Sequence, residues 1–132
     1  MKIEIKQPLE LCLEVVETDE HVPSMRVQAR IVVAQFQHMF RYDGFFWIEC
    51  ANWDKFTQSL RSPSAEGMAL RDMSDCFIFS IQEIGGCLSI ALELAKADLD
   101  DSRQTTCTFI SRLDEDVFAK IQNEFFEFPV WW

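Results

Sequence analysis

The sequence predicts an α+β domain: a mostly antiparallel β-sheet of about six or seven strands with two helices, in the order strands, helix, strands, helix. Three observations predict this class. Apolar residues recur at every second position over long segments, two shorter segments have helical spacing, and turn-forming residues separate them. The chain has 132 residues, of which 48% are hydrophobic, enough for one domain, 1–132, with a single core.

The first segment alternates between apolar and polar residues, which is typical of half-buried strands. The apolar positions are Ile3, Ile5, Leu9, Leu11, Leu13 and Val15. Pro8 lies on the polar parity and indicates either an edge position or a break, so the segment is one strand or a pair. Residues 18–23 are polar, end in proline and are predicted to form a turn.

Residues 25–42 also alternate, but the parity of the apolar positions changes along the segment. A β-bulge near residues 31–33 would explain the change, and a hairpin is the alternative. Asp43-Gly44 is a strong tight-turn signal, after which residues 45–49 are predicted to continue as another strand.

The first helix is predicted over residues 53–60, with Asn52 as its N-cap. Trp53, Phe56 and Leu60 share one helical face, and a Ser-Pro-Ser sequence ends the segment. A short strand over residues 67–71 follows.

The clearest hairpin joins residues 77–81 to residues 88–94 through Gly85-Gly86. A polar loop over 98–102 then leads to a last strand over residues 105–113.

The second helix is predicted after residues 114–116, because acidic residues favour the positive end of a helix. The apolar residues that follow have helical spacing: Val117, Phe118, Ile121 and Phe125. Pro129 ends the helix.

The net charge is −10, and the twelve basic residues are scattered singly. Binding to nucleic acid or to an anionic membrane is therefore not expected, since both need clustered cations. A cationic protein partner is compatible with this charge, and the alternative interpretation is that acidity serves only solubility. The five cysteines form no C-x-x-C pair and indicate small buried side chains in a reducing compartment. With neither a secretory signal nor a long apolar segment, we expect a cytoplasmic protein.

No catalytic or metal-binding motif is recognisable, so we expect neither an enzyme nor a cofactor. The two histidines, His21 and His38, are far apart and favour a structural interpretation. Asp98, Asp100 and Asp101 resemble a calcium loop but lack its glycine and its final glutamate. A solvated turn is the favoured interpretation.

Seven residues are candidates for contact with a partner: Glu10, Glu14, Asp98, Asp100, Asp101, Trp131 and Trp132. Glu10 and Glu14 would form an acidic stripe with Glu4, or an ordinary solvated strand face. The two tryptophans are of a type enriched at binding hot spots, but they could equally fold back over the sheet and close the core.

The order of these elements resembles that of a known family. The segments that carry the likeness are LELCLEV, FFWIECANWDKFTQSL, FIFSIQEIGGCLSIALEL and DEDVFAKIQNEFFEFP. Together they resemble the WapI-type immunity proteins of bacterial polymorphic toxin systems, and related small uncharacterised bacterial domains. The resemblance implies a non-enzymatic protein that binds and blocks a cognate toxin domain, often a cationic nuclease. It assigns no interface residue, because members bind different toxins.

The alternative hypothesis is a small-ligand or regulatory binding module. The excess of aromatic residues motivates it. Such a module would self-associate, for example as a homodimer, through an exposed sheet edge or through the two C-terminal tryptophans.

Overall fold

The computed structural model describes residues 1–64 and 67–132. These residues form eight strands and two helices: β1 (Lys2–Ile5), β2 (Glu10–Asp19), β3 (Ser24–Gln35), β4 (His38–Glu49), α1 (Cys50–Ser59), β5 (Ala69–Arg71), β6 (Phe77–Ile84), β7 (Cys87–Ala97), β8 (Gln104–Arg112) and α2 (Glu115–Phe126). The α+β class and the order strands, helix, strands, helix are confirmed. The number of strands in the described part is eight rather than six or seven.

The strands form two sheets rather than one. Sheet A has the order β1-β2-β3-β4 and sheet B has the order β5-β6-β7-β8, and every pairing in both is antiparallel. The division falls at α1, which carries the chain from the last strand of sheet A to the first strand of sheet B. The Met73 amide donates a hydrogen bond of 2.8 Å to the Trp47 carbonyl just after β5. The two sheets therefore meet at this corner without joining.

The first predicted segment is a pair of strands, with Pro8 in the break between them. The predicted bulge at residues 31–33 is wrong, because β3 keeps one register against β4 from Ser24 to Gln35. The change of parity comes instead from a two-residue hairpin turn at Phe36-Gln37, which was the alternative. A register shift does occur, but in β2, at Val16.

The sequence indicated a tight turn at Asp43-Gly44, and this prediction is wrong. The pair lies within β4, opposite Arg30 and Ala29. Tyr42 stacks on Phe46, with ring centroids 5.5 Å apart. A methyl group added at Gly44 would overlap the Tyr42 ring. The glycine therefore makes room for an aromatic ring that crosses the strand.

Helix α1 begins at Cys50, three residues earlier than predicted, and its N-cap is Glu49 rather than Asn52. The Asn52 side chain has another role. Its amide group donates to the Ala69 carbonyl at 3.1 Å, and its oxygen accepts from the Arg71 amide at 2.8 Å. Asn52 therefore joins β5 to the helix, an interaction between segments that local sequence patterns do not indicate.

The hairpin around Gly85-Gly86 is confirmed, and both glycines have positive φ, as tight turns require. The last strand is also confirmed within one residue at each end, and α2 begins after the N-cap residue Asp114.

The inner faces of both sheets and one face of each helix form a single core. Aromatic contacts link its parts. Phe46 of sheet A meets Phe77 of sheet B at 5.2 Å between centroids, and Phe56 of α1 meets Phe79 at 5.7 Å and Phe125 of α2 at 5.0 Å. Each such fully buried ring contributes about 2 to 3 kcal/mol through removal of apolar surface from water.

Candidate functional site

The seven residues that the sequence nominated lie in three different parts of the fold. Glu10 and Glu14 are on β2 of sheet A, the three aspartates are in the loop between β7 and β8 of sheet B, and the tryptophans follow α2. The structure therefore does not assemble them into one site.

Glu10 and Glu14 lie on the outer face of sheet A, where charges of both signs alternate. Three cations on this face pair with carboxylates: Lys2 with Glu4 at 2.9 Å, Arg26 with Glu17 at 3.6 Å, and Arg30 with Asp43 at 3.8 Å. Glu14 itself is opposite Lys2 and Gln28 in the two registers. The predicted acidic stripe is thus interrupted by cations from β1 and β3, because neighbouring strands contribute to the same face.

The loop that carries Asp98, Asp100 and Asp101 is held by its own hydrogen bonds. Asp98 accepts from Arg103 Nε at 2.7 Å and from the Ser102 hydroxyl at 3.3 Å. Asp100 accepts from the Ser102 amide at 3.0 Å, and hydrogen bonds from the Ser102 side chain and backbone lower the pKa of the Asp100 carboxyl group. The carboxylates of Asp98 and Asp100 are therefore occupied in shaping the turn, in agreement with the solvated-turn interpretation. No cluster of three or more metal-ligating side chains occurs in the described part of the chain.

The C-terminal tryptophans are partly buried. Trp132 packs against the core, and its indole N–H donates to Asp54 Oδ2 of α1 at 2.8 Å. Trp131 meets Trp132 edge to face, with centroids 5.5 Å apart. The tail thus folds back, as the structural alternative proposed, but it lies against α1 rather than over a sheet.

A different acidic surface emerges on α2, which we call the α2 groove. The groove is about 520 Å³ in volume and lies between α2 and the end of β1. Its charged lining residues are Glu4, Lys6, Lys120, Glu124 and Glu127. Phe118, Ile121 and Phe125 hold α2 in place by packing its opposite face into the core.

The carboxylates of this region are not neutralised. Residues 114–127 contain five acids, Asp114, Glu115, Asp116, Glu124 and Glu127, and one lysine, which gives a local net charge of −4. None of the five forms an ion pair within 4.0 Å with any residue of the described chain. Much of the protein's net charge of −10 is therefore concentrated on one exposed helix.

A second concavity, the inter-sheet cleft, opens where β4 passes the ends of β7 and β8. It is about 300 Å³ in volume, and its apolar walls include Phe40, Tyr42, Phe46 and Leu94. Arg41 and Lys96 also line it, so two cations flank an apolar cavity in an acidic protein. Burial raises the pKa of the Tyr42 hydroxyl, and nearby Cys76 and Asp72 raise it further.

Three cysteines have raised pKa values, which make their thiols less reactive than an ordinary cysteine. Burial raises the pKa of Cys12, Cys50 and Cys107, so these thiols keep their protons at neutral pH. A thiolate is needed for nucleophilic attack, and a neutral thiol is a poor nucleophile. Cys50 is buried and Cys107 packs against the core, whereas Cys12 lies on the outer face of sheet A and Cys87 is exposed, so the prediction of buried cysteines is wrong for these two.

One buried carboxylate was missed by the sequence reading. Asp72 accepts hydrogen bonds from three amides: Cys76 at 2.7 Å, Phe77 at 2.9 Å and Ser74 at 3.3 Å. It closes the turn between β5 and β6. An aspartate two residues before a Ser-Asp sequence is a turn signal. Its burial depends on the corner where the two sheets meet, which the local sequence does not reveal.

The α2 groove was also missed, because acids at a helix start are sufficiently explained by the helix dipole. The two later acids, Glu124 and Glu127, and the neighbouring Glu4 are the additional signal, and only the docking of β1 beside α2 brings them together.

Comparisons with protein-family models, with curated proteins and with solved structures yield no match for this chain. The class that the fold defines is therefore an α+β domain of two antiparallel four-stranded sheets and two helices. No helix of the described residues is long and apolar enough to cross a membrane.

Proposed function

We propose that this protein is a non-enzymatic binding protein that recognises a basic protein domain through the α2 groove. In the form suggested by the resemblance to WapI-type immunity proteins, the partner is a cationic nuclease-like toxin domain, which binding would neutralise. The observation that carries the proposal is the net charge of −4 over residues 114–127, whose carboxylates form no ion pair in the described chain and of which Glu124 and Glu127 line the groove.

Unpaired carboxylates on a rigid helix suit recognition of a cationic surface. A field of one sign accelerates encounter with an oppositely charged partner, and charge pairs that become desolvated on docking fix the orientation. The helix is anchored by its buried face and by the Gln122 side chain, which donates to the Leu60 carbonyl at 2.6 Å. The acidic face is therefore presented with little conformational freedom to lose on binding.

The same charge disfavours nucleic acid as the direct partner. Phosphate binding needs a patch of lysine and arginine, and on this helix only Lys120 is basic. A protein that itself binds nucleic acid would present such a basic patch, which is complementary to α2.

The test uses the protein encoded immediately upstream, provided that it ends in a basic nuclease domain. Binding of that purified domain would be measured by titration calorimetry, and inhibition by a nuclease assay. We expect the double variant Glu124→Lys with Glu127→Lys to weaken binding by about 100-fold, because each change removes an attraction and adds a repulsion. Lysine near the end of a helix is compatible with its dipole, so the variant should fold.

A matched control changes the net charge equally on sheet B, with Glu83→Lys and Glu93→Lys, both exposed. It should lower the association rate modestly and leave the dissociation rate unchanged. Equal weakening by both double variants, or binding that is insensitive to salt, would contradict recognition through the α2 groove.

The inter-sheet cleft favours a second candidate function, the binding of a small apolar anion. Apolar walls would hold the ligand body, while Arg41 and Lys96 would attract its charge. The fluorescent apolar sulfonate 8-anilinonaphthalene-1-sulfonate is a suitable probe. Its binding should be lost when Thr105→Phe fills the cleft and reduced in Lys96→Ala, and binding that neither change affects would exclude the cleft.

A further inference from the structure

We propose that two copies of this protein form a symmetric dimer by antiparallel pairing of β8 with β8 of the second copy. The pairing would join the two B sheets into one continuous eight-stranded sheet. This inference goes beyond the proposed function and does not depend on it.

The edges of sheet A are protected within the chain. Strand β1 has only four residues, is followed by Pro8 and lies beside α2. Strand β4 carries Arg41 and Asp43 in its middle, and the Met73 amide occupies the Trp47 carbonyl near its end. Short length, proline, charges and covering segments are the devices by which proteins block strand addition.

The two edges of sheet B differ from each other. Strand β5 has three residues, and the Asn52 side chain occupies its Ala69 carbonyl and Arg71 amide. Strand β8 has nine residues, keeps an unbroken register with β7, and contains neither proline nor a charge from Gln104 to Ser111. In the described part of the chain, β8 is the long edge strand with the fewest of these devices, since only its Ile110 carbonyl is occupied, by the Gln35 side chain.

The unpaired backbone groups of β8 can be assigned. The Ile110 carbonyl accepts from the Gln35 side chain at 3.4 Å, so this carbonyl points away from β7, whereas the Leu113 amide donates to the Leu88 carbonyl of β7. Because successive residues alternate, Gln104, Thr106 and Thr108 also direct their amides and carbonyls outward. These three residues have no backbone partner within the described residues.

This elimination fixes the strand that a second copy contributes. Since the other edges are blocked, a second copy can add only its own β8, and an antiparallel pair of identical strands is related by a two-fold axis. Such a contact closes after two copies and cannot extend into a fibre. The uncharged strand also allows two chains of net charge −10 to meet without facing charges of like sign.

The residues that flank β8 are complementary across this axis. With Thr106 paired to itself, Gln104 lies opposite Thr108, and Arg112 of each copy approaches Asp100 of the other. Threonine pairs of this kind are favourable across strands.

Exposed apolar residues stand at both ends of the strand. Leu99 is fully exposed at the start, and Phe36, which is 92% exposed with a φ of +57°, follows Gln35 at the other end. The two-fold axis would bring Leu99 of one copy towards the hairpin turn that carries Phe36 of the other. Burial of Leu99 and Phe36 in the dimer would explain why the monomer exposes these apolar side chains.

The experiment is sedimentation analysis of the full chain over concentrations from ~1 to ~200 µM, the range in which small interfaces form. We expect a monomer–dimer equilibrium. Thr106→Lys with Thr108→Lys should raise the dissociation constant at least about 30-fold, since lysine on an edge opposes strand addition. Phe36→Ser with Leu99→Ser should raise it about 10-fold. Amide exchange at Thr106 and Thr108 should slow as concentration rises.

The matched control is Ala95→Lys with Ala91→Lys, which adds the same charge to the outer face of sheet B one strand inward. It should leave most of the dimer intact. A monomer at every concentration would overturn the proposal, as would a dimer lost in the control but retained in the edge variant. Salt separates this inference from the proposed function: raising it from ~20 to ~300 mM should strengthen the dimer by screening repulsion and weaken binding of a basic partner.

Discussion

The outer faces of the two sheets differ in charge, although each sheet is a four-stranded meander. Sheet A displays carboxylates interleaved with three cations, in the ion pairs of Lys2, Arg26 and Arg30. The outer face of sheet B carries small and hydroxyl side chains at Ala69, Ser80, Ser89, Ala91, Ala95, Thr106 and Thr108, and its charged residues Arg71, Glu93 and Arg112 are spaced singly among them.

This difference in charge accompanies a difference in how well the edges of the two sheets are protected against strand addition. Both edges of sheet A are protected, so its outer face needs only to remain solvated. Sheet B ends in β8, which carries no charge from Gln104 to Ser111, although Glu93 of β7 lies opposite Thr108 and Arg112 ends the strand. The comparison indicates that the sheet whose edge strand is uncharged from Gln104 to Ser111 is the one suited to contact along that edge.

The largest expected effect compares one phenylalanine from each sheet. Phe77 of sheet B is fully buried against Phe46, whereas Phe45 of sheet A is 48% exposed on the outer face, beneath the Arg26 guanidinium. Phe77→Ala should lower the free energy of unfolding by about 4 kcal/mol, because it leaves a cavity where the two sheets meet. Phe45→Ala should cost less than about 1 kcal/mol, mostly its cation–π contact. Urea denaturation measures both, and similar costs would contradict the assignment of inner and outer faces.

The second prediction concerns the corner where the sheets meet. Asp72→Ala leaves three amides without their acceptor and should cost about 3 kcal/mol. Asp72→Asn is the matched control, since one amide oxygen can still accept from Cys76 and Phe77, and it should cost about half as much. If the two variants were equally stable, the hydrogen bonds to Asp72 would not be what holds this corner.

The third prediction contrasts two glycines that the sequence places in similar turn signals. Gly44→Ala should cost about 2 kcal/mol, because the added methyl group displaces the Tyr42 ring from its stack on Phe46. In a Tyr42→Ala background the same change should cost almost nothing. Gly85→Ala should cost about 1 kcal/mol through its φ of +61° alone, and Gly85→Asn less. A Gly44→Ala cost that persists without Tyr42 would indicate a backbone cause instead.

These glycines also show what the sequence could predict of the fold. Period-two patterning located nearly every strand, and Gly85-Gly86 was placed correctly because nothing distant competes for it. Asp43-Gly44 carries the same local signal, yet it lies within a strand, since the decisive contact is with Tyr42 on the inner face. The strand count and the division into two sheets depend in the same way on contacts between distant segments.

The candidate surfaces were harder to predict than the fold. Glu10 and Glu14 are on a solvent face as the alternation indicated, but the cations beside them come from β1 and β3, which only the register reveals. The unprotected character of β8 is readable from its composition. The composition does not reveal that the other edges are blocked, because Asn52 and Met73 make their hydrogen bonds to segments distant in the sequence.

The smallest expected effect is a fall in stability at high pH that both sheets share. Burial raises the pKa of Cys12 in sheet A and of Cys107 in sheet B above the ordinary value of 9.0. The unfolded chain therefore loses these protons at a lower pH than the folded chain does. Their contribution is fully present below pH 9.0 and is lost as pH rises through the raised pKa values.

Denaturation midpoints at neutral pH and at increasingly alkaline pH would measure this fall, with Cys12→Ala, Cys107→Ala and the exposed Cys87→Ala compared with the parent chain. Each of the first two variants should flatten the alkaline fall, while Cys87→Ala should not. Because burial is the largest cause at both sites, the two sheets should respond alike here, even though their outer faces differ. A fall that neither Cys12→Ala nor Cys107→Ala flattens would show that burial of these two thiols does not set the alkaline limit.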